Sequence, residues 1–456
     1  MKKFNAFLVS VLSAAVLNAA VIEQVIVRQQ WPWSTDVKIE YKLSGVTVPV
    51  DISVRAYNGN VELDQEKVLS ALAGDRYGIA EDGVGTLVLD PVKAFGTEKV
   101  ALANFKVKLT VTEDSAMSDV LYKIVRISDG NVQDVTRADF HNGKMGSFET
   151  VYSKIDSRYS TSLKDVLIWT GVTNEVAYKT THIVLRKINC KGVEWQMGQP
   201  STEINYNSNA PLCSVVLTND FWIGVFPITV GQWIASGAGN RTTSYGIYPE
   251  DTSARDVCPA TGWRANIREK TSYSWPANRH KVHKDSLLGK LRATTGLDFE
   301  LPTEAQWEFA VRGGNYAMPL YTGESITSWS AHQAALERIA WFDANTTYET
   351  VGSSKKRHWK GVGGRNPNAY GLYDMLGLLQ ENCLNRYYDY DTENLSCEPE
   401  GSDDTTMKYM VRSSTEENAY TNQRCGCRIK EQITNNGMIG CRVILPENLV
   451  YPASEK

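Results

Sequence analysis

The run Arg424-Cys425-Gly426-Cys427-Arg428 sets two thiols one residue apart between two guanidinium groups. Soft thiolates select Cu(I), so Cys425 and Cys427 are candidate copper ligands. They are poor candidates for a mutual disulfide, because neighbours at i and i+2 share a face without the approach a bridge needs. His280 and His283 form a His-x-x-His pair, but no third ligand stands at a recognisable spacing. The glycine-rich run 361–364 lacks the Lys-Ser/Thr pair of a phosphate loop, and the basic run 355–360 reads as a solvated loop. Residues 415–434 are rich in Asn, Thr, Gln, Glu and Arg with one Tyr, a composition suited to adaptable polar contact. Loops on a rigid scaffold commonly carry binding. In and beside this loop, Arg412, Asn418, Tyr420, Asn422, Arg424 and Arg428 are the candidate binding residues.

Elements must hold these groups in place. In 298–314, DFELPTEAQWEFAVRGG, Thr303 and Gln306 fit a capping box. Trp307, Ala310 and Val311 share one helical face, and Gly313-Gly314 supplies a left-handed stop. A second capping box is expected at Thr229 and Gln232. A third helix is expected over 285–295, ending at Gly296, with Leu287, Leu288 and Leu291 inward. From 21 to 159 the pattern is strand-like. Segments 36–41, 50–57 and 100–111 alternate apolar and polar residues, with turns at Asn58-Gly59-Asn60 and Asp129-Gly130-Asn131. The expectation is an N-terminal all-β sandwich over 21–159 and a linker over 160–178. A second domain over 179–450 would have short strands and long loops.

The chain has 456 residues and a net charge of −4, with 12 Trp and 22 Tyr. That length exceeds one ordinary core, and near-neutral charge argues against a nucleic-acid partner. Residues 1–20 carry Lys2-Lys3, an apolar stretch over 7–17 and small residues at 18–20, the pattern of a signal peptide. The apolar stretch is too short to span a bilayer and no second one follows, so no integral membrane segment is expected. The expected location is secreted or periplasmic, a compartment that permits disulfides. Spacing does not give connectivity; Cys190 with Cys213 and Cys383 with Cys397 are trial pairs among the eight cysteines.

Five blocks in order carry a resemblance. Gln196-Met197-Gly198 is followed by Asp220-Phe221-Trp222-Ile223-Gly224 with Ile228-Thr229-Val230-Gly231-Gln232-Trp233. Then come Leu301-Pro302-Thr303-Glu304-Ala305-Gln306-Trp307-Glu308, Asn368-Ala369-Tyr370-Gly371-Leu372-Tyr373-Asp374-Met375, and Gly440-Cys441-Arg442-Val443. Over about 181–445 the chain resembles the formylglycine-generating enzyme, or sulfatase-modifying factor, family. The resemblance implies an irregular α+β, C-type-lectin-like domain that depends on buried aromatics and arginines. It also implies a copper-dependent oxidase that converts a sulfatase cysteine to formylglycine.

Four departures bear on that chemistry. The family's copper-binding cysteine pair falls near Asn418 and Tyr420, and neither an amide nor a phenol is a Cu(I) ligand of choice. Leu378 stands where the family carries an Asn oxygen for a structural calcium. Glu381 of that site persists, and Asp343 with Asn345 is a candidate remnant of the family's other calcium site. Glu300 reverses the charge of the Arg that commonly precedes Leu-Pro-Thr-Glu and implies a different local partner. Ser413-Ser414 replaces a Gly-Gly pair and changes backbone freedom there. The expected function is an exported, noncatalytic recognition protein that binds a protein or glycan, with calcium as a possible structural ion. One alternative is an oxidase acting on an exported sulfatase, with copper at Cys425 and Cys427. Another is an envelope structural protein.

Overall fold

The computed structural model describes residues 20–29, 35–96, 104–112, 119–151, 166–204, 206–242, 246–269, 273–313, 318–324, 326–404, 406–413, 422–431 and 438–447. Residues 1–19 of the expected signal peptide, residues 160–165 of the expected linker, Asn418 and Tyr420 lie outside the described residues. The chain forms two compact units, Met1–Asp119 with Thr136–Gly146, and Val120–Val135 with Ser147–Lys456.

The first unit is β-rich. One sheet orders the strands Val21–Gln29, Val37–Ser44, Gly83–Leu89 and Leu72–Gly74; a second orders Val61–Glu62, Asp51–Asn58 and Phe105–Thr112. All pairings are antiparallel, in register Val37↔Leu89 and Asp51↔Thr112. The period-2 pattern explains the sidedness. Val37, Ile39, Tyr41 and Leu43 point into a core shared with Ile52, Val54, Leu87 and Leu89.

The second unit has a five-stranded sheet in the order Ile444–Pro446, Phe221–Gly224, His182–Ile188, Val120–Arg126 and Val132–Thr136. Alternate residues feed two cores: Ile188, Ile223 and Ile444 enter one, Leu185, Trp222 and Leu445 the other. Here the domain boundary differs from the one read at 159. Val120–Arg126 pairs antiparallel with His182–Ile188, in register His182↔Arg126, and so belongs to the second unit. Alternation marks a strand but not which sheet it joins. The expected linker also differs: Val166–Ile168 pairs with Glu149–Val151, and two 3-10 turns cover Thr170–Asn174 and Val176–Lys179.

The helices start and stop as their caps dictate. Thr303 Oγ1 accepts from Gln306 N–H at 3.1 Å, and Gln306 Oε1 accepts from Thr303 N–H at 2.9 Å. The helix Glu304–Arg312 ends at Gly313 with φ 56°. It is buried on more than the expected face, because Glu304, Glu308 and Arg312 are enclosed as well. Thr229 and Gln232 make the second capping box. Leu287–Thr295 begins after Ser286 and ends at Gly296, φ 70°, with Leu287, Leu288 and Leu291 buried.

All eight cysteines are thiols, so neither trial pair is bonded. Seven are buried and Cys397 is exposed. Burial pushes the Cys425 thiol up to about 12 and raises Cys213 and Cys383 as well. These cysteines serve as small apolar core residues.

Candidate functional site

The candidate site is built on a four-stranded sheet, Ile429–Glu431, Tyr409–Arg412, Gln380–Arg386 and Ile439–Gly440, with the helix Glu304–Arg312 against it. Arg412 pairs in register with Glu381, and its side chain runs to the helix. Arg412 Nη2 lies 2.6 Å from Glu308 Oε2 and 3.0 Å from Glu304 Oε1. It also donates to Tyr390 Oη at 3.0 Å, while Nη1 donates to the carbonyls of Cys425 and Cys427. Arg428 meets Glu304 with two parallel hydrogen bonds of 2.7 and 2.8 Å. Arg312 reaches Glu308 Oε1, and Arg424 reaches Glu203 Oε1 at 2.9 Å.

Every charge in this cluster is buried. Isolated, each would carry a desolvation cost of several kcal/mol. Together, two carboxylates one helical turn apart answer three guanidiniums. Burial alone would raise Glu304, but Arg428 and Arg412 outweigh it and hold the carboxyl below its ordinary range. Burial works against the charge on Arg412 and Arg428 too, yet their anionic neighbours keep both firmly protonated.

The six candidate binding residues therefore divide. Arg412, Arg424 and Arg428 form the foundation: their guanidiniums are committed to Glu203, Glu304 and Glu308 and are not presented to a ligand. The reason is physical, since an arginine buried this far must be answered by carboxylate. Asn422 is exposed. Asn418 and Tyr420 lie outside the described residues, within 414–421, whose flanks at 413 and 422 are described. On one side Ser413 is buried at φ 66°, a backbone region that favours glycine, and its Oγ donates to the Gly377 carbonyl at 3.2 Å. On the other, Gln423 is buried, and neither end of its carboxamide has a partner among the described residues.

Sequence reading missed Glu304, Glu308 and Glu203. A signal for the first two was present. Two glutamates four apart in a helix with Trp307 and Phe309 share a face, and that face could not be solvated if the helix was buried.

The metal candidates do not fit a cation. Glu381 Oε1 accepts from Arg442 Nη2 at 3.0 Å, and Oε2 from Trp307 Nε1 at 2.7 Å, so its oxygens already serve a buried ion pair. Leu378 beside it is fully buried and offers no side-chain oxygen. Asn345 Oδ1 accepts from Phe342 N–H at 2.8 Å in a tight turn, and Asp343 is exposed. The described residues hold no group of three or more His, Cys, Asp or Glu side chains able to grip a metal ion. Burial raises the thiols of both Cys425 and Cys427, which disfavours the thiolates Cu(I) needs.

The charge reversal at Glu300 has its partner. Arg268 donates to both carboxylate oxygens at 2.9 and 3.0 Å, Arg292 approaches to 3.5 Å and His280 Nδ1 to 3.4 Å. Burial would raise Glu300, but the Arg268 and Arg292 guanidiniums and the hydrogen bond with His280 hold it below its ordinary range. His280 thus serves the ion pair, and His283 Nδ1 accepts from Asp285 N–H.

The family model of the sulfatase-modifying factor enzyme 1-like domain matches residues 175–445. The serine/threonine-protein kinase pkn1 of Chlamydia pneumoniae is 28% identical over 252 residues, covering 53% of this chain and 35% of that protein. The chaperone protein LppX of Paenibacillus barcinonensis is 23% identical over 188 residues, covering 37% of this chain and 63% of that protein. The chain thus spans about a third of one curated relative and under two thirds of the other. Among solved structures, Treponema denticola variable protein 1 aligns with TM-score 0.43 at 18% identity, covering 58% of this chain and 95% of that one. PvdO from Pseudomonas aeruginosa aligns with TM-score 0.41 at 18% identity, covering 57% and 94%. With its family model spanning more than half of its length, the chain belongs to the family of sulfatase-modifying factor enzyme 1-like domain proteins.

Proposed function

We propose that this chain is an exported, noncatalytic recognition protein of its family. Its second unit would be a C-type-lectin-like scaffold and its first a β-sandwich. The contact residues would be Asn418, Tyr420 and Asn422, carried on a loop rooted at Ser413 and Gln423. A protein or glycan would be the ligand. The observation that carries this reading is the commitment of Arg412, Arg424 and Arg428 to buried carboxylates. These arginines give the loop a rigid base instead of supplying a reactive cation or a proton-transfer group. Positions 418 and 420, where the family resemblance would put paired thiolates, carry an amide and a phenol, so the oxygen chemistry of the family's oxidases has no soft-ligand grip there.

Two measurements test this. Formylglycine formation on a Cys-x-Pro-x-Arg peptide with copper should be undetectable, and clear turnover would establish the oxidase instead. A ligand array should return specific, saturable binding that Asn418→Ala, Tyr420→Ala and Asn422→Ala each reduce. Absence of any such ligand would favour a structural role in the envelope. Export is checked by mass spectrometry of the mature N-terminus, expected after residue 19 or 20.

A further inference from the structure

Around the 361–365 loop the second unit carries cations that have no ion-pair partner among the described residues. The loop 361–365, Gly-Val-Gly-Gly-Arg, is ringed by Lys179, Lys360 and Arg365. The Arg365 guanidinium lies 3.8 Å over the Trp341 ring, and Lys360 Nζ lies 5.7 Å from the same ring. Lys179 Nζ lies 5.5 Å from the Phe226 ring. The loop joins these groups. A Cβ on Gly363, φ 76°, would lie 2.8 Å from Phe226, and one on Gly364 would lie 3.2 Å from Trp341 Nε1. Among the described residues, neither Lys179 nor Arg365 has an ion pair, and Arg365 Nε is buried without a hydrogen bond. Lys360 reaches only the Thr347 hydroxyl, at 3.4 Å. The buried arginines Arg268, Arg412, Arg428 and Arg442 of this unit meet carboxylates directly, whereas the half-buried Lys179 and Arg365 do not.

Beneath the loop sits one carboxylate. Asp374 is 1% exposed; its Oδ2 accepts from Gly363 N–H at 2.7 Å, and its Oδ1 is buried without a partner. Lys179 and Arg365 both feel its charge but stand beyond ion-pair distance. The other groups facing it are Arg442, Glu381, Tyr321 and Tyr373; Arg442 is already paired with Glu381. Glu337 is the remaining acidic neighbour of Arg365. When Asp374 is ionised, Lys179 and Arg365 feel its one enclosed negative charge, and Lys360 lies near the same Trp341 ring as Arg365, which leaves an excess of positive charge suited to a dianion. A lone carboxylate ligand offers one charge and two oxygens. A tetrahedral oxyanion offers two charges and enough oxygens to meet several donors.

We infer that the 361–365 loop, with Lys179, Lys360 and Arg365, is a binding site for a dianionic tetrahedral oxyanion of the phosphate monoester class, with Asp374 as the positioning residue beneath it. The site lies outside the recognition loop and goes beyond the function proposed for that loop. It is not a phosphate loop of the nucleotide-binding kind, since the cations come from three separated positions and no Lys-Ser/Thr follows the glycines. Asp374 makes the affinity pH-dependent. Burial lifts its carboxyl to about 6, so neutralising it at lower pH removes a repulsion beneath the anion.

The test is titration of the full chain with inorganic sulfate, which stays dianionic between pH 5 and pH 8, followed by calorimetry and amide chemical shifts. One saturable site is expected, several-fold tighter at pH 5 than at pH 8. Arg365→Gln and Lys179→Gln should each weaken it about tenfold, the loss of one charge-assisted contact. Asp374→Asn keeps an oxygen for Gly363 N–H; it should bind at pH 8 as the parent binds at pH 5, with the pH dependence gone. Phosphate bound at pH 8 at least as tightly as sulfate supports a phosphate monoester as the ligand, and a site that takes sulfate but rejects phosphate would overturn that ligand class. No saturable binding, binding that chloride at physiological strength abolishes (an adventitious ion only), or unchanged affinity in a folded Arg365→Gln variant would overturn it. Because the parent pH profile needs no variant, misfolding of a mutant leaves the test intact. Asn418→Ala and Tyr420→Ala should leave sulfate binding unchanged, which separates this site's failure from that of the recognition loop.

Discussion

A buried guanidinium persists only where its donors and its charge are met, and Arg442 is met on every side. It donates to the carbonyls of Gly224 and Tyr373, both at 2.7 Å, and to Glu381. Glu381→Gln should therefore cost about 3 kcal/mol in denaturant unfolding, because it strands a buried cation. EDTA should leave the parent midpoint unmoved; a drop on chelation would restore Glu381 as a calcium ligand. Asp374 behaves in the opposite sense. Its folded carboxyl titrates near 6, against 3.8 for the ordinary group, so the unfolded chain ionises first and stability falls as pH climbs between those values. Asp374→Asn should recover roughly 3 kcal/mol at pH 8 and nothing at pH 3. Equal gains at both would show that Asp374 is not the group responsible. Glu300 and Glu304, held low by arginines, add stability above the ordinary carboxylate range that is lost in strong acid.

The Glu304–Arg312 helix starts on a reciprocal cap. Thr303→Ala removes the acceptor for Gln306 N–H and should lower stability by about 1 kcal/mol. A loss well beyond that would mean that the cap also positions Glu304 against Arg428. Between strand and loop, Gly377 is more demanding. A Cβ there would lie 2.3 Å from the Trp341 carbonyl and 2.9 Å from Gln423 Oε1, at φ 73°. Gly377→Ala should disturb the Trp341–Gly377 bridge and the root of the recognition loop together. Tryptophan fluorescence and ligand binding should change in step, and retained binding with altered fluorescence would uncouple the two.

At the scale of the molecule, the two units are not consecutive segments. The strand Val120–Arg126 belongs to the second unit although it precedes part of the first. A chain starting at residue 160 would leave one edge of the His182–Ile188 strand unpaired, the situation that invites aggregation. Such a chain should elute as aggregate and unfold without cooperativity. A chain starting at 119 should remain monomeric in the same size-exclusion run. If both behave alike, the strand is dispensable.

Local chemistry in the sequence was enough to locate the caps at Thr229 and Thr303, the left-handed stops at Gly296 and Gly313, and the first unit's strands Val37–Ser44, Asp51–Asn58 and Phe105–Thr112. Each depends on neighbours within a few residues. The ordered blocks from Gln196 to Val443 likewise identified the family, because they preserve side chains at the points where distant segments meet. What could not be read was pairing between distant charges. Nothing near Arg412 in the chain indicates that Glu304 and Glu308, more than a hundred residues earlier, neutralise it, nor that Glu381 is consumed by Arg442. An arginine in a polar stretch looks the same whether it greets a ligand or is buried. Only tertiary packing, which removes water from these groups and so compels each charge to find its opposite, decided which of them became foundation.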